Sequence, residues 1–251
     1  MKSKININKG ILTVVLSMTV IVILGLSIAW SYYGNINKSE DPRVIEAKVM
    51  YKSYNTLVEE SRYDDGLLLL DSIADIYAKY DDYKNSYEVG VIHNNRAAIY
   101  LTIALAMHDG TAKDSIIAIA ENNVQRSIDI YEGWLNEFGS MSESDIRNWA
   151  TPIYQSSNFP FNRELIDRYI EKRVADVQLA QRETTRRLSV SYTNLGIVLR
   201  NQNQIEQALK TYKKALELWD KNLTAENNIN LILGRPLKER STLERLFPDK
   251  K

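Results

Sequence analysis

From residue 43 onward, apolar positions recur every three or four residues with polar ones between them, the period of an amphipathic helix. No stretch alternates at period two for long enough to read as a strand. The pattern predicts helices over 43–62, 64–79, 86–107, 113–137, 163–201, 204–220 and 225–233. Breaks fall at Asp64-Asp65, the YDDYKNS stretch, His108-Asp109-Gly110, Gly139 and an NQNQ turn at 201–204. ATPIYQSSNFPFN, residues 150–162, carries Pro152 and Pro160 and reads as the long irregular connection. After Pro160 no Gly or Pro occurs until Gly196, so 163–201 reads as one long helix, with a break near Thr184-Thr185 as the alternative.

Upstream, the pattern changes character. ILTVVLSMTVIVILGLSIAW, residues 11–30, is a run of twenty without a charge. At roughly 1.5 Å per residue such a helix spans about 30 Å, the hydrocarbon thickness of a bilayer. Lys2, Lys4 and Lys9 precede it, while the following flank mixes Lys38 and Arg43 with Glu40, Asp41 and Glu46. The positive-inside bias then leaves residues 1–10 in the cytoplasm and the body outside it, with Trp30, Tyr32 and Tyr33 as interfacial aromatics. A cleaved signal peptide with Ser27-Ile28-Ala29 as cleavage site is the competing reading, although its apolar region exceeds the usual length of about 7–15 residues. The expected organisation is a tail (1–10), a transmembrane signal anchor (11–30), a linker (31–42), a helical domain (43–235) and a charged C-terminal tail (236–251) whose Leu243, Leu246 and Phe247 could cap the last groove.

Within 191–223, SYTNLGIVLRNQNQIEQALKTYKKALELWDKNL, two helical patterns flank the NQNQ break. Leu195, Gly196 and Leu199 share a face of the first; Ala208, Tyr212 and Ala215 follow at intervals of four and three on the second. Antiparallel helices approach closely only where side chains are small, which Gly196 and Ala208 provide, while Tyr192 and Tyr212 supply bulk against neighbours. This spacing resembles the tetratricopeptide repeat, a helix-turn-helix of about 34 residues with the pattern W-x2-L-G-x2-Y and then a small-aromatic-small set. Tyr192 stands at the Trp place, Leu195-Gly196 at Leu-Gly, Leu199 at the Tyr place, and Asp220 where Pro is frequent. The clearest unit covers 189–222. Weaker echoes run over 43–137: Gly66, Leu70 and Ile73 keep the same spacing, and Ala97 and Tyr100 take the Gly and Tyr places of a first helix. Ser127, Tyr131 and Trp134 then form its second helix, beyond an insertion around DGTAKDS. Residues 138–162 lie outside the resemblance.

Formal net charge is zero, so no basic surface points to nucleic acid. The absence of cysteine excludes a disulfide framework, a thiolate metal site and a catalytic thiol. His93 and His108 have no second ligand at metal spacing, and the acidic pairs lack a calcium-loop pattern. No nucleophile elbow, zinc-binding HExxH, P-loop or dinucleotide motif occurs. No enzyme, cofactor or metal is therefore expected.

The expectation is an all-α fold: a helical-hairpin, tetratricopeptide-like solenoid behind a single N-terminal transmembrane helix. The resemblance implies a scaffold or adaptor that binds a protein or peptide partner in a concave groove, and homo-oligomerisation stays open. The groove-facing places it assigns are Thr193, Ile197, Arg200 and Asn201, with Arg200 available to a partner carboxylate. The alternative is an extracytoplasmic small-ligand sensor in which 138–162 closes over a helical pocket walled by Trp149, Tyr154 and Phe159. The short N-terminal tail leaves no room for a cytoplasmic output domain and counts against it.

Overall fold

A computed structural model describes residues 40–156 and 159–239. The expected membrane span 11–30, most of the linker, and Leu243, Leu246 and Phe247 lie outside the described residues. No described helix is long and apolar enough to cross a membrane. Among the described residues there are helices and turns but no strand. The helices are α1 (Ile45–Tyr51), α2 (Tyr54–Glu59), α3 (Tyr63–Ala78), α4 (Tyr87–Leu105), α5 (Thr111–Phe138), α6 (Glu143–Gln155), α7 (Ile166–Asn201), α8 (Ile205–Leu218) and α9 (Leu223–Ile232).

Two expectations need correction. The helix expected over 43–62 is two short ones, because the backbone tightens at Lys52-Ser53 into bonds spanning three residues: Lys52 N to Val49 O at 3.2 Å and Ser53 N to Met50 O at 3.0 Å. The irregular segment within 138–162 contains α6, and the prolines do not prevent it. Ser142 and Asp145 form a reciprocal capping box, Asp145 N–H donating to Ser142 Oγ at 3.2 Å and Ser142 N–H to Asp145 Oδ2 at 3.1 Å. Pro152 sits inside the helix on its exposed side, where the carbonyl that loses its amide partner, that of Asn148, belongs to an exposed residue that water can reach.

α2, α7 and α9 end by one device. Ser61, Asn203 and Gly234 adopt the left-handed conformation, with φ of 59°, 62° and 64°. The next amide reaches back to the helix: Arg62 N to Leu57 O, Gln204 N to Leu199 O and Arg235 N to Asn230 O, at 2.8, 2.9 and 2.8 Å. The NQNQ break is thus a turn for a chemical reason. Asparagine tolerates the left-handed region, and Asn203 is the residue placed there.

Thirty-six residues long and unbroken at Thr184-Thr185, α7 is the spine. At 1.5 Å per residue it runs about 54 Å, long enough to serve two neighbours in succession. Its first half buries Tyr169, Ile170, Val174 and Val177 against Ile146, Ala150 and Tyr154 of α6. Its second half buries Leu188, Tyr192 and Leu199 with Ala208, Tyr212 and Ala215 of α8 and Val124, Ile128 and Tyr131 of α5. α4 and α5 form the preceding hairpin, and α3 packs with α1 and α4 around Leu70, Ile73 and Ile92. α9 closes the far end on α8 through Ala225.

Candidate functional site

The α7–α8 hairpin is built on one close approach. A Cβ added at Gly196 would overlap the ring of Tyr212, so the tyrosine lies flat on the bare helix backbone. Tyr212 therefore supplies its bulk inside the hairpin, whereas Tyr192 reaches outward to α5, where its hydroxyl donates to Glu132 at 2.5 Å. Burial pushes the Tyr212 phenol up to about 12. Ala208 and Ala215 are fully buried, which lets the two helices lie together.

The same relationship recurs upstream in another register. A Cβ at Gly90 would overlap the ring of Tyr131, and Ser127 Oγ donates to the Gly90 carbonyl at 2.9 Å. Gly90, Ser127, Tyr131 and Trp134 on α4 and α5 thus correspond to Gly196, Ala208, Tyr212 and Ala215. Ser127, Tyr131 and Trp134 take the places expected from the spacing. The glycine place belongs to Gly90, two helical turns before Ala97.

The first helices of these hairpins, α4 and α7, lie side by side. Ser191 Oγ donates to Asn94 Oδ1 at 3.0 Å, and Asn194 Nδ2 donates to the same oxygen at 2.9 Å. Beside this junction each helix presents a half-buried strip. On α7 it is Arg187, Val190, Asn194, Ile197 and Asn201, spaced three and four apart; on α4 it is Tyr87, Val91, Asn94 and Ala98. The remaining positions around this part of α7 are mostly buried, including Ser191, Thr193, Gly196, Val198 and Leu199.

Of the four places assigned to a partner, Ile197 and Asn201 lie on the strip, where Asn201 Nδ2 is bonded to the Ile197 carbonyl. The other two turn toward α9. Thr193 is only 2% exposed; it donates to the Ser189 carbonyl and accepts from Asn222 Nδ2 at 2.9 Å, so it offers a partner nothing. Arg200 is half-buried, its Nη1 donating to Asn228 Oδ1 at 2.7 Å. The strip instead carries Arg187, whose guanidinium lies 5.5 Å from the Tyr87 ring centroid and has no carboxylate partner among the described residues. Asn94 and Asn194 keep an amide donor and an acceptor, Asn94 Nδ2 and Asn194 Oδ1, with no partner among the described residues. At the strip's edge Tyr51 and Tyr54 stack with centroids 5.7 Å apart, and Asn95 Nδ2 donates to Tyr51 Oη at 2.7 Å. Burial raises the Tyr51 phenol, which stays neutral and a donor. Sequence reasoning missed Arg187, Val190, Asn94 and Asn194; the signal that points to them is the three-and-four spacing of half-polar residues continued N-terminally from Ile197.

Of the three wall residues of the alternative reading, Tyr154 and Trp149 stand against the protein's own arginines. Tyr154 is buried and donates to Asp41 Oδ2 at 2.9 Å, and the Arg43 guanidinium lies 5.3 Å from its ring centroid. Trp149 meets Phe138 edge-on, and Arg173 lies 5.4 Å from its ring centroid. Phe159 stacks obliquely with Phe161. His93 is half-buried on α4 beside Asn123, its pKa lowered by burial, and His108 is exposed in the connection between α4 and α5. No group of three or more potential metal ligands occurs among the described residues.

With the hairpin's geometry in place, the family comparison is specific. Residues 189–222 match the tetratricopeptide repeat. The match begins at Ser189 in the second half of α7, covers α8 and ends at Asn222, the cap of α9. No curated protein and no solved structure matches the chain. In tetratricopeptide terms the second half of α7 supplies the first helix and α8 the second, and α4–α5 shares the glycine–tyrosine contact.

Proposed function

We propose that the protein is a scaffold whose α4–α7 strip holds an extended segment of a protein partner, with the helical body tethered to a membrane through residues 11–30 and lying outside the cytoplasm. The observation that carries the reading is the tetratricopeptide match over 189–222 together with the half-buried strip on its first helix. Repeats of this kind stack so that first helices line a continuous surface. Here that surface alternates short apolar contacts, Val91, Ala98, Val190 and Ile197, with amides at Asn94, Asn194 and Asn201. Apolar contacts exclude water, and a free amide donor and acceptor side by side match the N–H and C=O of an extended backbone. Arg187 at one end takes a carboxylate of the partner, in place of the bonded Arg200.

The uncharged run 11–30 and the lysines that precede it support the tether and its orientation. A photo-crosslinking residue at Asn194 or Ile197 in the full chain should capture a partner segment, and one at the exposed Lys210 or Lys213 should not. Equal capture from both faces removes the strip from the proposal. Protease added to intact spheroplasts should digest the body; a protected body rejects the orientation and leaves the strip standing.

A further inference from the structure

Five residues at the start of the described chain, Glu40–Val44, lie outside any helix, yet Asp41, Arg43 and Val44 are buried. Arg43 is 7% exposed and engages two carboxylates at once. Its Nη1 and Nη2 donate to Asp82 Oδ1 and Oδ2 at 3.0 and 2.8 Å, a bidentate pair. Its Nε and Nη2 donate to Asp41 Oδ1 and Oδ2 at 3.1 and 2.7 Å. Around the guanidinium stand four rings, those of Tyr80, Tyr83, Tyr154 and Phe161, with centroids between 5.1 and 5.4 Å away. Asp41 Oδ2 also accepts from the hydroxyls of Tyr83 at 3.2 Å and Tyr154 at 2.9 Å. The groups come from the α3–α4 turn, from α6 and from the segment before α7, and Tyr154 stands 113 positions from Asp41 along the chain.

A second set of charges holds Glu40, the first of the five residues. Lys48 bridges Glu40 at 2.5 Å and Asp176 at 3.0 Å, and Lys172 reaches Glu40 at 3.0 Å and also pairs with Asp176. Glu40 and Lys48 therefore tie the strap to α7, while Arg43 ties it to α6 and the α3–α4 turn.

We propose that residues 40–44 form a latch, with Arg43 as the internal ligand of an aromatic and carboxylate box, that fixes the N-terminal connection rigidly to the α6–α7 face. The first described residues are then held fixed on the helical body. A buried guanidinium is stable only while its whole partner set is present, because each partner lost leaves an unpaired charge out of water. For a strap without secondary structure of its own, the cheaper response to a lost partner is release into solvent. The latch opens as a unit, leaving the helices assembled.

Limited trypsin digestion of the full chain, with cleavage sites assigned by mass spectrometry, reads this directly. Arg43 is itself a trypsin site, and it lies within the strap. Asp82→Asn removes one charge of the box, and the milder Tyr154→Phe removes one bond to Asp41 while keeping the ring. Cleavage after Arg43 should accelerate about tenfold or more in Asp82→Asn and less in Tyr154→Phe, with cleavage inside 189–222 unchanged, since proteolysis follows the population of the locally open form. Unchanged cleavage at Arg43 in Asp82→Asn overturns the latch. So does equal acceleration at Lys210 and Lys214, which would make the box an ordinary part of one cooperative core.

Discussion

The ring of Tyr131 lies against the bare backbone of Gly90, as the ring of Tyr212 lies against Gly196. In each hairpin a tyrosine of the second helix occupies the space that a first-helix side chain would otherwise need. In the downstream hairpin sixteen positions separate the two partners; in the upstream one, where the contact lies farther from the turn, forty-one do.

Gly196→Ala and Gly90→Ala should therefore both destabilise the fold, despite alanine's better helix propensity. Overpacking a filled site costs about 1–3 kcal/mol, against roughly 1 kcal/mol gained by replacing a helical glycine. A net loss is expected in urea unfolding of each variant, larger at Gly196, where the built Cβ comes slightly closer to the ring. Combining Gly196→Ala with Tyr212→Leu, which vacates the space, should cost less than the sum of the two singles. Additive losses would mean that the ring is not what excludes the methyl.

How much of this was legible in the sequence depended on chain distance. Gly196, Ala208, Tyr212 and Ala215 lie within twenty positions, so spacing alone exposed the hairpin. Upstream, the expected insertion around DGTAKDS is mostly the first turn of α5, both helices run well past the Gly90–Tyr131 contact, and Ala97 stood in for Gly90 because residues seven apart share a helix face. Periodicity gives the face and leaves the register open. α6 was obscured by Pro152 and Pro160, although Ser142 with Asp145 three residues on was a readable start signal. The box around Arg43 had no sequence signal: its members come from four separate segments and meet only in the fold.

Acid should open the molecule from its N-terminal side. Burial alone pushes Asp41 up, but Arg43 and the Tyr154 hydroxyl outweigh it, and its net pKa is lowered. Burial likewise pushes Asp176 up, and Lys48 and Lys172 bring it below the usual range. A carboxylate depressed in the fold stabilises it at pH values above its unfolded pKa, about 3.9, and that stability is lost as pH falls through the lower folded value. Thermal melts should thus show a steep fall in Tm below about pH 4. Asp41→Asn should lower Tm at pH 7 and flatten that acid limb; an unaltered limb would remove Asp41 from the account.

Alkali should act through the tyrosines. Burial raises Tyr83 and Tyr87 well above the ordinary phenol and Tyr212 to about 12. The neutral forms belong to the fold, so their stabilising effect is full below the unfolded value, near 10, and declines as pH rises toward the folded ones. Absorbance at the phenolate band should show exposed tyrosines titrating gradually, followed by a cooperative step that coincides with loss of helical circular dichroism. A single smooth titration with the helix signal intact would contradict this.

Asn222 joins the repeat to α9, and its two ends do different work. Its Oδ1 accepts from Ala225 N–H at 3.1 Å and caps α9, while its Nδ2 donates to Ser189 Oγ at 2.8 Å and Thr193 Oγ1 at 2.9 Å. Both hydroxyl protons are committed elsewhere, Ser189 to the Ala215 carbonyl at 2.6 Å and Thr193 to the Ser189 carbonyl at 2.9 Å. Asn222→Asp keeps the cap but turns a buried donor into a charged acceptor facing two lone pairs. The hydroxyls can answer only by leaving their carbonyls unpaired, and an unsatisfied buried group costs about 1–3 kcal/mol, more for a charge. Asn222→Ala loses the cap, worth about 0.5–2 kcal/mol, together with both donated bonds. Asn222→Asp should nevertheless be the more destabilising at pH 7, although aspartate is as good a helix cap as asparagine. Lowering the pH toward 5 should narrow the gap, because burial without a cation raises a carboxyl's pKa and the protonated group regains a donor. Should Asn222→Asp prove as stable as the parent chain at pH 7, the amide would be acting as a cap alone, and the bonds to Ser189 and Thr193 would contribute nothing to the joint with α9.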